Sequence, residues 1–274
     1  MGPLSSGLQG RHRSRTLGQV QVLAIDDYVA AFDARWTAIE SPRTRRIDGP
    51  GICGLVPVDG TSPTDLLVLG DDAFDVLSTV LPMVSGGTVR VHDVAPRCAD
   101  LIRRERTWTP SAATAMVCQD VDVVPEPSLP AGLTLQPVRR VLQDPGDGVP
   151  LKEAVAAAAR ATSASDASSD ALASYLKSLP GDPLLFAAVD QDGIVRGTSG
   201  SRTFGTYAYA FFVNTDPGWR RRGVGLAMTA AALRSSVLEG ATRACLDASD
   251  SGAALYRRLG FTAVAQITQF SRPS

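Results

Sequence analysis

The sequence predicts an α/β (α+β) protein: a mixed central sheet flanked by helices, built as two tandem halves of one architecture. Three observations predict it. Apolar runs of strand length alternate with helical periodicities along the whole chain. A proline-dense stretch divides the chain near its middle. The end of the first half echoes the end of the second. The 274 residues are 44% hydrophobic and 20% charged, enough apolar material for a core and too little charge for a disordered chain. That length suits two domains or one large one.

Met1 to Leu17 carries Arg11, Arg13 and Arg15 among Ser and Gly. It lacks the apolar centre of a signal peptide and reads, as residues 1–18, as a flexible arm. The N-terminal half, 19–119, offers a helix from Asp26 to Ile39 and strands at Ile52–Pro57 and Asp65–Leu69. A helix over Asp72–Leu81, a strand at Thr88–His92, a helix over Arg97–Arg106 and a strand at Ala112–Cys118 follow. Between Asp120 and Ala131, Pro125, Pro127 and Pro130 prevent regular pairing, so this is a linker.

In the C-terminal half, 132–274, Gly132 to Val138 alternates as a strand. Leu151 to Arg160 is alanine-rich and helical. Asp170 caps a second helix that runs to Leu179 and stops at Pro180-Gly181-Asp182-Pro183. Leu184–Val189 and Ile194–Thr203 form a hairpin through the turn Asp190-Gln191-Asp192-Gly193. Tyr207–Val213 is a strand. A helix from about Gly223 to Leu238 places Val224, Met228 and Ala231 on one apolar face. Thr242–Ala248, Ser251–Leu259 and Thr262–Phe270 read as strand, short helix and strand.

Gly87 to Cys118 parallels Gly240 to Phe270, with Arg103-Arg104 where Arg257-Arg258 fall. A strand, a helix ending in an arginine pair and a strand recur in order, which reads as an internal duplication.

Composition narrows function. Lys+Arg 27 against Asp+Glu 28 leaves a net charge of −1, which argues against a general polyanion binder. Nucleic acid is therefore not an expected partner. No run approaches the ~20 apolar residues that span a bilayer. Cys53, Cys98, Cys118 and Cys245 lie far apart without a CxxC pair, as reduced buried thiols of a cytoplasmic protein do. No metal is expected.

The motif that carries chemistry is Arg220-Arg221-Arg222-Gly223-Val224-Gly225, between a strand and a helix. Glycines let backbone approach an anion without Cβ clashes. A helix N-terminus presents unpaired N–H groups and the positive end of its dipole. Arginines add charge and donors suited to phosphate oxygens. Physically this is a phosphate site.

The stretch resembles the acyl-CoA pyrophosphate loop of the GNAT superfamily of N-acetyltransferases, as Arg220-x-x-Gly223-x-Gly225. Ala248 to Phe261, with its Leu255-Tyr256 pair and Leu259-Gly260-Phe261, resembles the next motif of that family. The resemblance covers about Leu133 to Phe270 and implies acetyl-CoA as cosubstrate. It implies that Phe211, Phe212 and Val213 offer backbone groups to the pantetheine arm. Arg220, Arg221, Arg222, Gly223, Val224, Gly225 and Leu226 would wrap the pyrophosphate. Ser249 stands where many members have a cofactor-contacting Asn. Tyr256 stands where a tyrosine protonates the departing thiolate, a sensible acid with an ordinary pKa near ~10.

The fifth strand carries Ala244 where some relatives have a basic Glu, and the only histidines, His12 and His92, lie outside this half. Tyr207, Tyr209 and Asp247 are the nearest candidates for a proton path. The expected reaction is direct attack of a primary amine on the thioester in a ternary complex; a non-catalytic acyl-CoA-binding protein is the alternative. In the N-terminal half, Leu69-Gly70-Asp71-Asp72-Ala73-Phe74 occupies the matching junction, and its aspartates would repel a pyrophosphate. One acyl-CoA site is expected, in a monomer or homodimer.

Overall fold

The computed structural model describes residues 17–58, 64–84, 86–139, 148–162, 172–173, 176 and 183–272, with side chains described from residue 25 onward. The expected N-terminal arm lies outside these residues except for its end, and so does most of the helix expected over 170–179; Leu172, Ala173 and Leu176 of that stretch are helical.

The first helix, α1 (Leu17–Ile39), begins nine residues before the expected Asp26 and takes in the end of the expected arm. Its Tyr28, Phe32 and Trp36 recur every four residues and are all fully buried. A hairpin follows, β1 (Thr44–Gly49) and β2 (Ile52–Pro57). The sequence pattern missed β1, because its TRRIDG carries almost no apolar alternation. Next come β3 (Thr64–Val68), the helix α2 (Phe74–Val80) between single 3₁₀ turns, β4 (Gly87–His92), α3 (Pro96–Arg104) and β5 (Thr109–Cys118).

After residues 119–132, which form no helix or strand, come β6 (Leu133–Arg139), the two-residue β7 (Val149–Pro150) and α4 (Leu151–Thr162). The chain then forms β8 (Leu184–Asp190), β9 (Val195–Phe204) and β10 (Tyr207–Thr215). It ends with α5 (Val224–Leu238), β11 (Arg243–Ala248), α6 (Asp250–Arg257) and β12 (Thr262–Arg272).

All the strands join one sheet in the order β1-β2-β3-β4-β12-β5-β11-β10-β9-β8-β6-β7. The order reads the same way outward from its centre. β5 and β12 pair antiparallel, and each next pairs antiparallel with the other half's strand, β5 with β11 and β12 with β4. Parallel pairs follow on both sides, β3–β4 and β10–β11. Antiparallel hairpin strands lie beyond them. The echo between Gly87–Cys118 and Gly240–Phe270 is thus a structural repeat, β4-α3-β5 against β11-α6-β12. The last strand of each half is inserted into the sheet of the other.

Side chains alternate across the strands, so the two sheet faces have different cores. On one face α1 packs Tyr28, Phe32 and Trp36 on Val117, Cys245, Val264 and Ile267, while α4 covers Leu185, Ala187 and Val189. On the other, α5 and α6 cover Ala208, Ala210, Ala244, Leu246 and Ala248. The single apolar face expected for α5 needs correction. Val224 through Ala230 are all buried, and Ala231 is only partly so. The first turns of α5 are covered on their sides because β8, β9 and α6 all meet them, while the N-terminal end at Gly223 stays open.

Candidate functional site

The site begins where two strands part. β10 and β11 run parallel but are paired only from Tyr207–Arg243 to Tyr209–Cys245. Beyond Tyr209, β10 continues to Thr215 without β11, leaving a wedge through the sheet. On the other side β10 breaks register with β9 between Phe211 and Asn214. Phe212 adopts φ +59°, uncommon for a bulky residue. The Thr198 hydroxyl holds this bulge by donating to the Phe212 carbonyl at 2.8 Å. Phe212 and Val213 have no partner residue in either neighbouring strand, so their backbone borders the wedge.

The arginine–glycine loop closes the wide end of the wedge. Asp216 caps a 3₁₀ turn by accepting from the Gly218 N–H at 2.9 Å. Arg221 has φ +63° and Gly223, the N-cap of α5, φ +88°. That left-handed backbone suits glycine. A Cβ added to Gly223 meets nothing within 4 Å, so the N-terminus of α5 opens onto free space. Gly225 is different: a Cβ there would lie 3.0 Å from Leu255 and 3.3 Å from the Thr215 hydroxyl. One glycine leaves room for a ligand and the other lets α6 and β10 approach the helix.

The three arginines differ. Arg220 donates to the Ala161 carbonyl at 2.6 Å and the Thr215 carbonyl at 3.3 Å. It ties the end of α4 to the end of β10, so its side chain braces the loop instead of standing open beside Arg221 and Arg222. Arg222 lies over the Trp219 ring at 5.2 Å. Arg221 and Arg222 are exposed, and Val224, Gly225 and Leu226 are buried in the first turn of α5.

Ser249 follows the end of β11 as the N-cap of α6, exposed, its hydroxyl 3.2 Å from that of Ser251. Tyr256, on α6, is 8% exposed and packs edge-on against Phe261. Burial pushes its hydroxyl up to about 12, so it keeps its proton at neutral pH.

The proton-path candidates separate. Tyr207 sits at the closed end of the wedge and is engaged with Arg243 at 3.1 Å and Asp27 at 3.3 Å, which removes it from the opening. Tyr209 and Asp247 stay together at the opening, with the Tyr209 hydroxyl donating to Asp247 Oδ2 at 3.2 Å. Sequence reasoning missed what surrounds them. Arg90 of β4 donates from Nε to Asp247 Oδ2 at 2.6 Å and from Nη1 to Asp65 at 2.5 Å. Tyr28 of α1 donates to Asp247 Oδ1. Asp65 also meets Arg35 at 3.2 Å and accepts from Trp36 Nε1 at 3.0 Å.

Burial works against the charge on Asp65, but Arg35 and Arg90 outweigh it and hold its carboxyl below the usual range. Burial, with Asp247 beside it, pushes the Tyr28 phenol well above its ordinary value. One signal for this cluster was present: Arg90 interrupts the apolar Val89–Val91 strand, and a charge there requires a buried partner.

The N-terminal half has no matching opening. β3 and β4 pair along their full length, Thr64–Gly87 to Val68–Val91. Asp71 accepts from the Arg97 and Cys98 N–H groups at 2.9 and 3.1 Å. The N-terminus of α3 is thus filled by the protein's own carboxylate. Among the described residues no cluster of metal-ligating side chains occurs, and no helix is long and apolar enough to cross a membrane.

Residues 181–263 match the family model of the acetyltransferase (GNAT) domain. No curated protein matches the chain. Among solved structures, the GCN5-related N-acetyltransferase from Kribbella flavida is similar with a TM-score of 0.60 and 20% identity, over 92% of this chain and 97% of that one. The GCN5-related N-acetyltransferase-like protein from Streptococcus suis 89/1591 has a TM-score of 0.55 and 14% identity, over 94% and 100%. The GCN5-related N-acetyltransferase from Sphaerobacter thermophilus has a TM-score of 0.52 and 18% identity, over 83% of each chain. At these identities the structures establish the fold, and the family match establishes the C-terminal segment. Residues 181–263 of this chain accordingly match a GNAT acetyltransferase domain, and the sheet around them has the fold of the GCN5-related N-acetyltransferases.

Proposed function

We propose that the protein is an acyl-CoA-dependent N-acyltransferase with a single cofactor site, in its C-terminal half, that transfers an acetyl group to a primary amine. The observation that carries this reading is the wedge between β10 and β11, with the open N-terminus of α5 at its wide end. Backbone N–H groups of Gly223 to Leu226, with Arg221 and Arg222, would take the pyrophosphate. Arg220 acts there by bracing the loop. The backbone of Phe211, Phe212 and Val213 would pair with the pantetheine arm, and Ser249 would contact the cofactor from the far wall. Catalysis then rests on holding amine and thioester together, on an N–H polarising the carbonyl, and on Tyr256 protonating the thiolate.

The proposed organisation follows from the same facts. Residues 19–119 form a degenerate GNAT-like half, 120–131 a linker and 132–274 the catalytic half. Asp71 and Asp72 in the turn that enters α2, the counterpart of α5, support the loss of a second site, because carboxylates there would repel an anion. The chemistry suits a cytoplasmic protein, monomeric or homodimeric, without a metal.

A second reading, an acyl-CoA-binding protein that transfers nothing, draws on one observation. Both oxygens of Asp247, the only carboxylate on the strands that flank the wedge, are already engaged.

Calorimetric titration of CoA into wild type and Gly223→Glu tests the site. One-to-one binding to wild type, lost in the variant with its circular dichroism intact, is expected. A folded wild type that binds no CoA overturns the proposal. Screening amines with acetyl-CoA then separates transfer from binding alone.

A further inference from the structure

Asp247 lies on β11 two residues past the last rung shared with β10, and its side chain is 8% exposed. Tyr209, at that last rung, is part-exposed and donates its hydroxyl to that carboxylate. Tyr209 belongs to the α1-side core and Tyr256 to the α5–α6 side. The two phenols therefore lie on opposite faces of the sheet. Tyr209 is also fixed as a ring. It stacks on Phe211 at 6.3 Å, meets the edge of Phe32 at 5.6 Å and carries the Arg35 guanidinium 5.0 Å from its centroid.

We propose that the N-terminal half builds the acceptor side of the transfer site: Tyr28 and Arg90 hold Asp247, and Asp247 holds the Tyr209 hydroxyl where it receives the proton of the attacking amine. This rests on the transferase reading above. Tyr209 is the catalytic residue of the group, and Tyr28, Arg90 and Asp247 are positioning residues.

The proton balance closes. The amine nitrogen bonds to the thioester carbonyl carbon, and the C–S bond breaks with its electron pair on sulfur. The amine proton passes to Tyr209 Oη as the proton of Tyr209 passes to Asp247 Oδ2. The thiolate takes the Tyr256 proton. Exchange of one proton through water returns Tyr256 and Asp247 to their resting forms. A phenol suits this place because its oxygen both donates and accepts. Arg90 and Tyr28 hold the Asp247 carboxyl group in place, so the hydroxyl of Tyr209 stays turned toward it. Among the described residues, the charged or titratable groups around the pair are Tyr28 and Arg35 of α1, Asp65 of β3, Arg90 of β4, Arg202 opposite Tyr209 on β9, and Cys245 of β11.

The test uses the full chain and acetyl-CoA, with glycinamide and putrescine as probe amines, and reads thiol release above the protein-free rate and CoA affinity. Wild type is expected to bind CoA and acetylate at least one probe. Tyr209→Phe should lower kcat by about 10²-fold or more, with CoA affinity and KM for acetyl-CoA unchanged. Tyr28→Phe keeps the buried ring and removes only the hydroxyl. It should lower kcat by about tenfold at unchanged KM, an effect a purely structural tyrosine would not produce. Tyr209→Phe or Tyr28→Phe at wild-type kcat overturns the proposal. CoA binding without thiol release on any probe also overturns it, while the cofactor site stands. Absence of CoA binding removes both.

Discussion

Tyr256 combines burial with an acidic task, and the two pull against each other. Its hydroxyl, pushed up to about 12 by desolvation, gives up its proton less readily than an exposed phenol. A thiolate formed in the same apolar pocket is more basic for the same reason, which restores the driving force. Tyr256→Phe should therefore lower turnover by about 10²-fold or more while calorimetry finds CoA affinity unchanged. The buried groups also set the behaviour in base. Tyr256 rises from its ordinary 10.0 to about 12, and Cys53 from 9.0 to about 12, through burial. From about pH 8 upward the unfolded chain releases these protons before the folded one does, so stability is complete below about pH 8 and falls as pH climbs toward 12. Tyr256 alone contributes about 2–3 kcal/mol to that loss. Urea midpoints at pH 7, 9 and 10.5 should decline in that order, and Tyr256→Phe should flatten the last step.

At the level of elements, the proposed single cofactor site turns on helix starts. α5 begins at a glycine with empty space before it, whereas its counterpart α2 is entered through a 3₁₀ turn that carries Asp71 and Asp72. Asp71→Ala should cost about 1 kcal/mol as a lost cap, measured by urea unfolding, and create no second CoA stoichiometry. Gly223→Ala isolates strain from obstruction at α5. Placing a Cβ at φ +88° costs about 1–2 kcal/mol, yet a methyl group reaches nothing, so CoA affinity should fall by far less than in Gly223→Glu. Equal losses in the two variants would show that the backbone conformation, and not the space, is what CoA needs.

Across the whole molecule, exchange of the last strands makes the two halves one folding unit. β5 lies between β12 and β11, and β12 between β4 and β5. A chain cut between Pro127 and Ser128 should therefore give fragments that fold together but not separately. Circular dichroism and gel filtration of each fragment and of their mixture test this. Arg90 joins the halves a second time, through Asp65 on one side and Asp247 on the other. Arg90→Gln leaves Asp247 without a cation and Asp65 with Arg35 alone, and should cost about 3–5 kcal/mol, readable in the unfolding midpoint.

Much of this was written in the chain. The strand and helix order from Leu133 to Phe270, the linker, the repeat ending in Arg103-Arg104 and Arg257-Arg258, and the loop Arg220–Gly225 are local patterns, fixed by periodicity, proline and glycine. The sequence by itself determined most of the elements and the glycine-bearing turn that starts α5, because each depends on residues close together along the chain. It did not show β1, whose polar residues lack alternation, or the burial of every residue from Val224 to Ala230 in α5, which comes from neighbours distant in sequence. Only the tertiary structure decided that the last strands are exchanged, that Arg220 braces the loop, that Tyr207 is closed off, and that Tyr28 and Arg90 reach Asp247 across 219 and 157 residues. Those contacts depend on strand order in a sheet, which periodicity along one chain does not encode.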